Sequence, residues 1–286
     1  MRSVPPEMLV LAGIGSVQFG AAFANELFDE AGPGGVVFLR LLLSAAILLA
    51  VARPTLRGRT RSDLLAVLAF GLVLGAMNWS FYEALHRLPL GVAVTIEFTG
   101  PLAVAVAGSR RLLDGLWVIL AGAGVVLLAL RGGHGDISAI GVLLALVAAA
   151  CWALYILLSQ RVGRTFARLD GLAIALGVGT LVVLPAGIAQ GGEALLEGHV
   201  IAGGLGVALL SSLIPYSLEL MALRRLTAYR FGLLMSLEPA VAALAGVVVL
   251  SQPLTAVLGV AVVLVAAASI GNTLTARRLP EPQPEA

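Results

Sequence analysis

LGVAVTIEFTGPLAVAVAGSRR, residues 90–111, decides the fold. It is almost wholly apolar for about twenty residues, the length of one crossing of a bilayer's hydrocarbon core. Yet it carries Glu97 and, four residues on, Pro101. Proline has no N–H, so a helix through Pro101 loses the bond back to the carbonyl of Glu97. The freed carbonyl and the carboxylate then sit together on one face. A carboxylate deep in a membrane costs at least ~2.5 kcal/mol on insertion scales, and it turns towards protein interior or water. A broken apolar helix with an acid at the break therefore reads as a substrate or proton site. The competing reading is a protonated, hydrogen-bonded glutamate in an ordinary proline-kinked helix.

Composition agrees with a membrane setting. Of 286 residues, 59% are hydrophobic and 12% charged, with mean hydropathy +1.02. A soluble domain carries about 25% charge. The net charge of +2 is no sign of nucleic-acid binding, because the basic residues follow the membrane pattern. Cys151 is the single cysteine, so no intrachain disulfide forms. The AFA at Ala22–Ala24 faintly resembles a signal-peptidase site, but with many spans downstream a retained first helix is expected.

Ten apolar segments follow one another: 8–28, 33–52, 63–86, 90–109, 113–131, 138–160, 170–190, 199–223, 228–250 and 254–276. The arginines alternate with them. Arg53, Arg57, Arg59 and Arg61 share one connection, and Arg110–Arg111, Arg161–Arg168, Arg224–Arg225 and Arg277–Arg278 fall on the same side. Arg87 and Arg131 fall opposite. The positive-inside rule puts both termini in the cytoplasm.

The halves repeat. YEALHRLPLG (82–91) falls on LMALRRLTAY (220–229), and GPLAVAVAG (100–108) on EPAVAALAG (238–246), which sets Pro101 on Pro239. Five spans per half is odd, so the second copy enters the membrane inverted. Inverted repeats are a hallmark of secondary transporters, with sites at broken helices in equivalent places. The expected fold is an all-α polytopic membrane protein. Its ten transmembrane helices form two inverted five-helix repeats, 1–131 and 138–276, before a disordered cytoplasmic tail, 277–286.

Three ionisable residues lie deep. Arg40 is about seven residues into the second segment, near ~10 Å, and Glu97 is at similar depth from the same side. The two can pair, or Arg40 can hold a substrate carboxylate through its planar fork. Glu238 lies near ~15 Å, about mid-bilayer. Glu97 and Glu238 are the candidates for proton coupling or for an ammonium partner. A second tier is Asn78 with its repeat mate Tyr216, Gln18 near the repeat positions of Trp152 and Tyr155, and Glu219 one turn after Tyr216. Singly, each is as well explained by interhelical bonding. Pro101 and Pro239 are the expected helix breaks.

Enzyme signals are missing from the sequence. His86, His134 and His199 have no metal-site spacing, and no phosphate-binding loop for ATP occurs. No catalytic residue, metal or cofactor is expected. The expected partners are a small solute, protons and the lipid bilayer; the sequence says nothing of oligomeric state.

Several stretches resemble a known family. They are MN at Met77–Asn78, LPLGVAVTIEFTGPLAVA at Leu88–Ala105, SRR at Ser109–Arg111, ACWALYILLSQR at Ala150–Arg161, PYSLELMALRRL at Pro215–Leu226 and FGLLMSLEPAVAA at Phe231–Ala243. With the ten-span layout, they make the chain similar to the drug/metabolite transporter superfamily, EamA type, and within it to exporters of threonine and homoserine. The first span, QFGAAFANELF, keeps a similar shape but not the residues. The resemblance implies export of small neutral amino acids across a bacterial inner membrane by proton antiport. A broad-specificity drug or metabolite exporter of the same fold is the alternative. A more aromatic cavity would favour that alternative, and a chain that is 6% aromatic leans towards small polar solutes.

Overall fold

The computed structural model describes residues 4–107, 112–131, 138–166, 169–223, 225–226, 231 and 234–276. Arg2, Ser109–Arg111, His134, Arg168, Arg224, Arg230 and the 277–286 tail lie outside the described residues. Among the described residues there is no strand. The helices are α1 (Pro6–Glu26), α2 (Phe28–Ala52), α3 (Arg61–Leu85), α4 (Leu90–Glu97), α5 (Thr99–Ala107), α6 (Leu112–Arg131), α7 (Ala139–Thr165), α8 (Asp170–Gly191), α9 (Gly198–Ala208), α10 (Ile214–Leu223), α11 (Glu238–Leu250) and α12 (Ala256–Ala276). A 3₁₀ turn, Gly192–Leu196, follows α8, and a π turn, Leu209–Leu213, joins α9 to α10.

Among the described residues, seven helical runs are long and apolar enough to cross a membrane: Pro6–Glu26, Phe28–Ala52, Arg61–Leu85, Ala139–Thr165, Asp170–Leu196, Gly198–Glu219 and Ala256–Leu274. Leu90–Val104, Gly115–Leu128 and Glu238–Leu250 are apolar but shorter. These ten runs fall on the ten apolar segments of the sequence. Leu90–Val104 contains the expected break: α4 ends at Glu97 and α5 begins at Thr99, with Phe98 between.

Local chemistry sets the element ends. Thr60 opens α3 with a capping box, its hydroxyl accepting from the Asp63 amide while Asp63 accepts from the Thr60 amide. Pro6 and Pro239 stand at helix starts, where the missing N–H has no intrahelical partner to lose. Pro239 thus stands in the first turn of α11. α2 bends at Gly32, whose φ of 64° suits a residue without a Cβ.

Neighbouring helices pair lengthwise: α2 with α8, α3 with α7 and α8, α6 with α12, α4 with α11, and α1 with α10. Glycine permits the closest approach. A Cβ on Gly91 of α4 would lie 2.9 Å from the Ala243 Cα of α11. The buried apolar core runs through α1–α4 and α7–α9, and many other large apolar side chains face outward, as a lipid environment requires.

Candidate functional site

One cavity of about 420 Å³ gathers side chains from helices across the whole chain. Every polar candidate from the sequence lines it: Gln18 from α1, Arg40 from α2, Asn78 from α3, Glu97 from α4, Trp152 and Tyr155 from α7, Tyr216 and Glu219 from α10, and Glu238 at the start of α11. Pro101 lines it as well; Pro239 is buried beside Glu238 but is not part of the lining.

Arg40 does not pair with Glu97 as expected. Its Nε donates to Ser212 Oγ at 3.2 Å, Nη1 to the Tyr82 hydroxyl at 3.1 Å, and Nη2 to the Ser211 carbonyl at 2.8 Å. Its guanidinium also lies 5.5 Å from the centre of the Tyr82 ring. Among the described residues it forms no ion pair. The reason is a second proline effect. Pro215 stands four residues after Ser211, so the Ser211 carbonyl lacks the N–H that an α-helix would offer it. A π turn, Leu209–Leu213, further disturbs the α-helical bonding pattern here. Ser16 of α1 donates to the neighbouring Leu210 carbonyl at 2.6 Å, so α1 and α2 both brace the turn. The same rule that marks Glu97 from Pro101 would have marked Ser211 from Pro215; the sequence reading applied it only once.

The glutamates sit at the other side of the lining. Gln18 Nε2 donates to Glu238 Oε1 at 3.1 Å, tying α1 to α11. Glu97 is within electrostatic reach of Glu238 and Arg40, and Glu238 of Glu219. Among the described residues, the cavity thus holds three carboxyl groups and one guanidinium. Asn78 returns its Nδ2 to the Leu74 carbonyl at 2.9 Å. Trp152 meets Phe98 edge to face at 5.9 Å, and Tyr155 packs on Phe70 at 5.0 Å.

The lining also contains residues the sequence did not single out. Ser269, Asn272 and Thr273 form a polar strip one turn apart on α12. Phe81, Phe98 and Phe231 join Trp152, Tyr155 and Tyr216, so six aromatic side chains line the cavity. Among the described residues, no group of three or more His, Cys, Asp or Glu is placed to hold a metal.

A bundle of apolar helices, one broken beside a buried acid, around a polar-walled cavity, defines a membrane transport protein, and the comparisons agree. Residues 139–274 match the EamA-like transporter family. The chain is 43% identical over 279 residues to the threonine/homoserine exporter RhtA of Salmonella typhimurium strain LT2, covering 96% of this chain and 94% of that protein. It is 43% identical over 286 residues to RhtA of Escherichia coli K12, covering 97% and 95%. The chain belongs to the EamA-like transporter family. A crystal structure at 19% identity shares the fold, with a TM-score of 0.63 over 95% of this chain and 99% of that one.

Proposed function

We propose that this protein is a bacterial inner-membrane secondary transporter that exports small neutral amino acids of the threonine and homoserine kind, by proton antiport and alternating access, and is not an enzyme. The observation that carries the reading is the cavity, which sets Arg40 and three glutamates around one space of small-ligand size. Such a wall suits a zwitterion. The name of the relatives at 43% identity supports the same solute class.

In this reading all ten apolar runs cross the membrane, as inverted repeats 1–131 and 138–276, with both termini cytoplasmic. Helix packing supports the repeat. Equivalent helices α2 and α8 pair, as do α4 and α11, and α6 and α12; the α3–α7 pairing has its counterpart in α10–α1. The whole set is unchanged when the two halves are exchanged. The arginine distribution supports the orientation.

Counterflow in proteoliposomes tests the function. Vesicles preloaded with unlabelled threonine are expected to accumulate labelled threonine, homoserine to abolish it, and a bulky cationic drug to leave it intact. The six aromatic side chains in the lining favour a second reading, a broad-specificity drug or metabolite exporter of the same fold. Counterflow driven by the drug and absent with threonine would establish that reading instead.

A further inference from the structure

Hydrogen-bond donors are scarce on the cavity wall built by α1, α4 and α11. Gln18 is 2% exposed and Glu238 6%. With Glu238 ionised, the bond from Gln18 Nε2 to Glu238 Oε1 fixes the amide, because turning it over would set oxygen against carboxylate oxygen. The two atoms left over, Gln18 Oε1 and Glu238 Oε2, are acceptors. Both are closed to solvent and have no partner among the described residues.

Glu97, 9% exposed, comes to the same wall from the helix break. Among the described residues its carboxylate accepts no hydrogen bond; its interactions with Glu238 and Arg40 act through space. Asn78 shows the same bias on α3: its amide nitrogen is used by its own helix, and its oxygen remains an acceptor. Arg40, a fixed cation in the lining, has already committed three of its N–H groups to Ser212, Tyr82 and the Ser211 carbonyl.

Buried acceptors without donors are rare in proteins, and each calls for a partner. A group with several N–H donors and a positive charge matches these acceptors and the Glu97 carboxylate beside them. We propose that Glu97, with the Gln18–Glu238 pair beside it, forms a subsite for the substrate's primary ammonium group. The Glu97 carboxylate takes the charge, and a small shift of the Gln18–Glu238 pair presents Gln18 Oε1 and Glu238 Oε2 to the remaining N–H groups. Arg40 meets the carboxylate end with the N–H groups it has left. The inference rests on the amino-acid reading and narrows it: the ammonium is the required feature of the ligand, and the carboxylate is the lesser one.

Competition against labelled threonine, on the purified full chain in lipid nanodiscs, tests this. Threoninol keeps the ammonium and lacks the carboxylate; 2,3-dihydroxybutanoate keeps the carboxylate and lacks the ammonium. Threoninol is expected to compete within about tenfold of threonine, since a bond to a partly committed arginine is the smaller loss. Dihydroxybutanoate is expected to be weaker by about hundredfold or more, because it leaves the buried acceptors unpaired. Gln18→Leu and the isosteric Glu238→Gln should each weaken threonine by about tenfold. The ligand series uses the unaltered protein, so misfolding of a variant cannot decide it.

Equal competition by the two analogues, wild-type affinity in both variants, or binding that needs sodium in place of choline would overturn the subsite. The last result would assign these oxygens to a metal cation. If threonine fails to bind the unaltered protein, the amino-acid reading fails. Direct binding of labelled threoninol then decides the subsite by itself: binding lost in Glu238→Gln upholds it, and no binding overturns it.

Discussion

Glu83 and Glu97 are glutamates buried to nearly the same degree, 7% and 9% exposed, and they are held in opposite ways. Glu83 accepts from Arg87 Nη1 at 2.5 Å and from Gln190 Nε2 at 2.7 Å. Gln190 Oε1 then accepts the Gly34 amide at 2.6 Å, just past the bend of α2. This chain of bonds ties α2, α3 and α8 together. Glu97 has no such partner among the described residues and faces a cavity. The contrast separates two uses of a costly buried acid. Where both oxygens are met by protein donors, the acid is a strut. Where none is met, the acid is available to a partner that comes and goes.

The largest effect expected from this contrast is at Glu97. Glu97→Gln should weaken threonine binding by about a hundredfold, since it removes the charge that the ammonium meets. Equilibrium binding to nanodisc-held protein measures it. A loss below threefold would erase the distinction between the two glutamates.

Next comes the seam between α4 and α11, which positions Glu97 and Glu238. Gly91→Val would set a side chain against the Ala243 backbone and is expected to cost about 1–3 kcal/mol through overpacking. A thermal midpoint from fluorescence-detected size exclusion should fall, and an unchanged midpoint would show that the two helices move apart freely. Glu83→Gln should lower stability by about 1–2 kcal/mol, discounted because Arg87 is 34% exposed. Its threonine affinity should stay at the wild-type value. A change in affinity there would make Glu83 part of the site. The smallest effect is expected at Thr60→Ala, which removes the exposed cap of α3 for about 0.5–1 kcal/mol and leaves transport unaltered. The same thermal assay reads it.

Much of the site was legible from residue type and spacing. Polar residues are so rare in this apolar chain that Gln18, Arg40, Asn78, Glu97 and Glu238 stood out, and each lines the cavity. The interruption at Glu97 followed from Pro101 by the geometry of one helical turn. What could not be read were choices between distant partners. Arg40 was matched to Glu97 by depth alone, yet it bonds to Ser211 and Ser212, on a π turn and 171 and 172 positions away. The spacing of Pro215 from Ser211 was the available signal. The aromatic wall was hidden for another reason: an average of 6% says nothing about six rings converging on one cavity.

Coupling of threonine flux to proton flux tests the central claim most directly. Proteoliposomes carrying a trapped pH dye are given a threonine gradient, with unaltered protein, Glu83→Gln and Glu97→Gln compared side by side. The account predicts that the unaltered protein and Glu83→Gln move protons against the threonine flow, and that Glu97→Gln moves none. Proton movement in Glu97→Gln equal to that of the unaltered protein would contradict it, and the acid at the helix break would then be structural.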